Sequence, residues 1–136
     1  MIRVVIADDH ALMREGLKYI LRKADDVEVV AEATDGFEVL ALVRKGGFDV
    51  LLMDLSMPEV SGIELTRRIR LLQPASDTAT PGREVPVVGL SAWALRIDAA
   101  ECRAVGMDDW LPKPVPWTAL VTTLLRLTGR APRTEV

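Results

Sequence analysis

Residues 48–53, Phe48-Asp49-Val50-Leu51-Leu52-Met53, form an apolar run too short for a free-standing helix and apolar on both alternating faces. That pattern suits a strand in the middle of a parallel sheet, covered on both sides. An ionisable residue, Asp54, follows at once, where such a strand emerges from the core. Pro58 and Gly62 then punctuate a loop, and Ser61 is placed to cap a helix starting near Ile63. An aspartate at this place is ordinarily a turn former or a cap. In open α/β sheets, however, the carboxyl ends of the strands are where ligands bind.

The rest of the chain repeats the unit. Val4-Val5-Ile6-Ala7 is an apolar strand that stops at Asp8-Asp9, and Leu12, Met13, Leu17, Ile20 and Leu21 follow at helical spacing over 11–24. Residues 27–33 alternate, with Val27, Val29 and Ala31 on one face and Glu28, Val30 and Glu32 on the other, as an edge strand does. Asp35 opens a second helix with Phe37, Val39, Leu40 and Val43 as its buried stripe, closed by Gly46-Gly47. A third helix over 63–72 buries Ile63, Leu65, Ile69 and Leu72 and ends before Pro74. Residues 74–85 are polar and turn-rich, a mobile connection about twice the usual ~4–6 residues.

A fourth strand over 85–90 ends at Ser91, with Pro86 at its start where a missing donor is tolerated. A weak helix over 95–105 is closed by Gly106, a fifth strand over 107–111 leads to Lys113, and a last helix runs over 117–128. The spacing thus predicts an α/β domain over 1–129 with a polar tail over 130–136. Five strands alternate with five helices, a doubly wound parallel sheet in the order 2-1-3-4-5.

At 136 residues and 49% hydrophobic, the chain has enough apolar surface for one packed core. A net charge of -3 with interspersed signs, and no basic run, argues against autonomous nucleic-acid binding. The apolar segments are strand-sized, which excludes a membrane span, and the N-terminus does not resemble a secretory signal. With Cys102 the only cysteine, no internal disulfide can form. Cys102 itself reads as a passive helix residue. A soluble cytoplasmic protein is expected.

The chemistry comes from where the strands stop: Asp8-Asp9, Asp54, Ser91 and, just beyond strand five, Lys113. Parallel strands point the same way, so these side chains gather at one edge. Singly, each has an ordinary reading as a cap or a surface cation. Together, three carboxylates repel and demand a cation, which a hard ion such as Mg²⁺ supplies through carboxylates, carbonyls and water. Asp54 can then act as nucleophile toward a phosphoryl group, with Lys113 and the Ser91 hydroxyl on its oxygens.

Asp8-Asp9 after strand one, D-L-S-M-P-E-V-S-G around Asp54, L-S-A after strand four and L-P-K-P at 111–114 together resemble the bacterial two-component response-regulator receiver domain, over residues 2–128. The resemblance implies a flavodoxin-like fold and phosphorylation of Asp54 by a histidine kinase or phosphotransfer protein. It implies Mg²⁺ held by Asp9, Asp54 and the Ser56 backbone carbonyl, with Asp8 acting through water. Ser91 and Lys113 would contact the phosphoryl group, and the Lys113–Pro114 bond is typically cis in the family. Such a domain is a regulatory phosphoacceptor rather than an enzyme, though it catalyses its own phosphotransfer and dephosphorylation.

IRVVIADDHALMREGLKYIL is similar to receivers of helix-turn-helix transcription factors, whereas LSAWA is similar to receivers of hybrid kinases. An excised and a stand-alone receiver are both compatible with that, and homodimerisation is left open. Three departures stand out. Trp110 takes the place of the Tyr or Phe that swings inward on activation, Trp93 sits two residues past Ser91, and the 74–85 loop is long. His10 reads as an ordinary polar residue at a helix start. Two rivals remain: a receiver that binds partners without phosphorylation, and a phosphatase of the haloacid-dehalogenase type. The phosphatase needs a second Asp two positions after its nucleophile, and here position 10 is His and position 56 is Ser.

Overall fold

The computed structural model describes residues 2–55, 57, 60–72, 85–92, 99–113 and 115–129. Among these, five strands and five helices alternate: β1 Ile2–Ala7, α1 Ala11–Arg22, β2 Val27–Ala33, α2 Gly36–Lys45, β3 Val50–Asp54, α3 Gly62–Leu72, β4 Val87–Ala92, α4 Ala99–Ala104, β5 Asp109–Lys113 and α5 Trp117–Leu127. The sheet is parallel, in the order β2-β1-β3-β4-β5. The expected central strand is central, and every residue of β3 is buried. Trp93, Ser56, Pro58, Pro114, positions 74–84 of the expected long loop and the tail over 130–136 lie outside the described residues. None of the described helices is long and apolar enough to cross a membrane.

Two apolar layers flank the sheet. On one face Val4, Ile6, Leu52 and Leu90 meet Leu17 and Leu21 of α1 and Leu120 and Leu124 of α5. On the other, Val5, Leu51, Met53 and Val87 meet Val39 of α2, Leu65 and Ile69 of α3 and Cys102 of α4. Burying each such side chain stabilises the fold by about 1.5–3 kcal/mol, so the sheet is held from both sides. The caps follow the expected chemistry. Asp35 accepts from the Glu38 N–H at 2.9 Å, and Ser61 Oγ accepts from the Glu64 N–H at 3.2 Å. Gly46, at φ 73°, ends α2 in a backbone conformation that a side chain resists.

Several expectations need correction. In β2 the register jumps from Val4↔Val29 to Val5↔Ala31, leaving Val30 as a bulge. The bulge reverses the alternation: Val27 and Val29 pack on the α1/α5 layer, while Ala31 and Ala33 pack on the opposite one. Glu32 is thereby turned toward α1. Phe37, expected in a buried stripe, is 73% exposed, and Leu12, at helical spacing with the buried Leu17 and Leu21, is 85% exposed. In α2 it is Gly36 that lies against Leu65 and Val60, and a helix turns about 100° per residue, which carries Phe37 outward.

Strands β3, β4 and β5 run one or two residues further than their apolar runs suggest. Ser91 pairs with Pro112 and residue 92 with Lys113, so both Ser91 and Lys113 lie inside strands. A proline fits in β5 because β5 is an edge strand and only one side of it must donate.

Candidate functional site

Asp8 follows β1 and Asp54 ends β3, and these strands are neighbours. Both carboxylates are taken wholly out of water. Across β4, the stem of Lys113 reaches back from β5, placing Nζ 3.2 Å from Asp8 Oδ2 and 3.2 Å from Asp54 Oδ1. Ser91 is buried at the end of β4, one register step beyond Leu90, the partner of Asp54. The edge anticipated from the strand ends is therefore real: acids from two strands and a lysine from a third meet over the sheet.

One ammonium cannot balance this site. Asp8, Asp9 and Asp54, with the ring of His10, offer ligand atoms that all lie within 4.8 Å of one another. Asp9 Oδ1 is buried and accepts no hydrogen bond from the described residues. A buried, unsatisfied carboxylate oxygen beside two further acids is costly unless a cation takes it up. An all-oxygen carboxylate set suits a hard divalent ion, and the residues present fit Mg²⁺.

Neither Asp8 nor Asp9 caps α1. His10 occupies the N-cap position without capping through its side chain, and its backbone N–H donates to Asp8 Oδ1 at 2.9 Å. Arg14 steadies the same loop: its Nη1 donates to the Asp8 carbonyl at 2.8 Å, and its Nε to Glu32 Oε1 at 2.9 Å. Sequence reasoning passed over Arg14. The available signal was its spacing, one helical turn beyond the residue that follows the two acids. Trp110 is half-buried on the α4 side of the sheet, with the Arg103 guanidinium 5.4 Å from its ring centroid.

The model of the response regulator receiver domain matches residues 4–125. The chain belongs to that family. As a receiver, it works in phosphorelay signal transduction. It is 38% identical over 137 residues to the virulence sensor protein BvgS of Bordetella pertussis, covering 96% of this chain and 10% of that protein. Among solved structures it is similar to the receiver domain of a Saccharomyces cerevisiae response regulator crystallised with a histidine phosphotransfer signalling protein. There the TM-score is 0.77 and the identity 27%, over 94% of this chain and 89% of the other. It is also similar to the receiver of a sensor histidine kinase from Pseudomonas aeruginosa with a magnesium ion coordinated in its active-site cleft. That match has a TM-score of 0.75 and 28% identity, over 93% of this chain and 97% of the other. The receiver thus spans a tenth of the length of the BvgS relative, and the phosphatase and phosphorylation-independent readings are not favoured.

Proposed function

We propose that this receiver takes a phosphoryl group onto Asp54 from a phosphohistidine of a histidine kinase or phosphotransfer protein. The observation that carries this reading is Lys113 Nζ held 3.2 Å from Asp54 Oδ1 over a carboxylate buried from bulk water. An Asp54 oxygen attacks phosphorus, the P–N bond breaks, and the released imidazole nitrogen takes up a proton. Lys113 offsets charge on the transferred oxygens, and the Ser91 hydroxyl donates to one of them. Asp9, Asp54 and the Ser56 carbonyl would hold Mg²⁺, with Asp8 acting through water. The ion, when bound, neutralises charge on the acids and the incoming phosphoryl oxygens. In the reverse direction of signalling, water attacks phosphorus and releases inorganic phosphate, restoring the Asp54 carboxylate.

Leu12, exposed on the first turn of α1 beside the site, offers the partner an apolar foothold. Ser91 and Trp110 form the readout: a phosphoryl group that draws the end of β4 inward changes the space open to the indole. Residues 1–129 act as the receiver, in the cytoplasm, and the domain itself makes no contact with nucleic acid.

The test is intact mass after incubation with acetyl phosphate and Mg²⁺. One phosphoryl group should add to the wild type and none to Asp54→Asn, and EDTA should abolish the addition. Labelling of the Asn variant, or labelling unchanged by EDTA, would falsify the reading.

A further inference from the structure

The only histidine in the chain stands where a metal ligand would. His10 Nδ1 lies 3.2 Å from Asp9 Oδ1 and 3.3 Å from Asp8 Oδ1. Ligands held about 2.1 Å from one ion stand roughly 3.0 Å apart in an octahedron and roughly 3.4 Å apart in a tetrahedron. The Asp9 spacing falls between these values, so the ring nitrogen and the Asp9 oxygen are already placed like neighbours in one coordination sphere, while Asp8 Oδ1, which accepts the His10 N–H, stays outside it.

The ring faces the two acids, whose charge it can meet directly or through a shared ion. It does not cap α1, and it is 69% exposed, so no core packs around it. Its placement follows from the backbone instead, because the His10 N–H is tied to Asp8 Oδ1 and turns the residue back over the acids.

We infer that the His10 imidazole is an additional ligand to the divalent ion held by the acids at the ends of β1 and β3, and that it tunes the site toward ions that accept nitrogen, Co²⁺ and Zn²⁺, over Mg²⁺. This rests on the metal-binding part of the reading above. Mg²⁺ prefers oxygen ligands and gives up its water reluctantly, so a neutral nitrogen gains it little. Imidazole suits the borderline ions, and for these one added nitrogen raises affinity beyond the general order that favours them. The consequence for the receiver is a phosphoacceptor site whose occupancy responds to the transition-metal supply as well as to Mg²⁺.

The experiment uses the untagged chain, so that His10 remains its sole imidazole. Binding of Co²⁺, Zn²⁺ and Mg²⁺ is measured calorimetrically for wild type, His10→Gln and His10→Ala, with circular dichroism to confirm that each variant is folded. Both variants should lose at least about tenfold in Co²⁺ and Zn²⁺ affinity while Mg²⁺ affinity changes less than about threefold. With Co²⁺ bound, the ring protons of the single histidine should show strongly shifted nuclear resonances. Equal weakening of all three ions would mean that the ring only offsets acidic charge, and it would overturn the proposal. Unchanged Co²⁺ affinity would overturn it too, while Mg²⁺ binding left the function above intact. Failure of the wild type to bind any of the three ions would overturn both.

Discussion

Arg14 Nη1 on α1 donates to the carbonyl oxygen of Asp8 at 2.8 Å, while the Asp8 N–H donates to Ala33 O at 3.0 Å. The peptide carrying the buried acid is thus gripped from a helix on one side and from β2 on the other. Arg14 can do this only because its Nε is held by Glu32, and Glu32 faces α1 only because of the bulge at Val30. A register shift on an edge strand therefore reaches the acidic site through two side chains. Lys18 joins the same cluster, with Nζ 2.7 Å from Glu32 Oε2.

The cluster has a pH signature. The Lys18 hydrogen bond, with Arg14 adding to it, holds the Glu32 carboxyl below its ordinary value of 4.5, against burial that pushes it up. A carboxylate so depressed contributes stability that is present above pH 4.5 and is lost as pH falls through its lower folded value. Glu32→Gln should flatten the acid limb of stability against pH below about 4.5, with little change in slope near neutrality. Denaturant midpoints measured across that range check this, and identical acid limbs for the two proteins would show that the cluster is not linked to folding.

Removing charge at the site should stabilise the metal-free receiver. Asp8 and Asp54 are buried with one shared ammonium, and Asp9 adds a third negative charge. Asp54→Asn keeps the shape of the side chain and lessens that repulsion, so we expect a gain on the order of 1 kcal/mol in EDTA. The gain should shrink when Mg²⁺ is added. Thermal unfolding with and without the ion decides it; a destabilised Asn variant in EDTA would show that the Lys113 pair outweighs the repulsion.

Two glycines should respond with opposite signs. A Cβ on Gly62 would collide with Leu55 Cδ2 and stand 2.8 Å from Leu55 Cα, and the backbone atom cannot move aside cheaply. Gly62→Ala should cost about 1–3 kcal/mol. Gly16, inside α1, has nothing within 4 Å of the equivalent position, so Gly16→Ala should stabilise by about 0.5–1 kcal/mol. Urea unfolding of both variants is the measurement, and a neutral Gly62→Ala would mean that the loop after β3 repacks freely.

Trp110 should report the state of the site. An indole is larger than a phenyl ring and needs a partner for its N–H when buried, so we expect a switch that is biased or incomplete rather than freely two-state. In a variant with Trp93→Phe and Trp117→Phe, beryllofluoride with Mg²⁺ should shift Trp110 emission, and Arg103→Ala should alter the size of the shift because the guanidinium lies over the ring. Unchanged emission, with binding of the phosphoryl mimic shown independently, would remove Trp110 from the readout.

Much of this was legible in the chain itself. Short apolar runs that end in acids, separated by helical periods, already prescribe a parallel sheet with its ionisable groups on one edge, because strand direction carries every terminus to the same side. Asp8, Asp54 and Lys113 needed only that rule. Local periodicity could not supply what depends on cross-strand register. It placed Ala31 with Val27 and Val29, because the bulge that separates them exists only in the pairing with β1. It put Phe37 in a buried stripe, because how far a helix is rotated against the sheet is set by the neighbours it meets, such as Leu65 against Gly36. Nor could it show that His10 turns its ring back over the acids. That orientation comes from a local turn, the His10 N–H on Asp8 Oδ1, in a loop whose path is set by the tertiary contact of Asp8 with Ala33 of β2 and by Arg14 of α1.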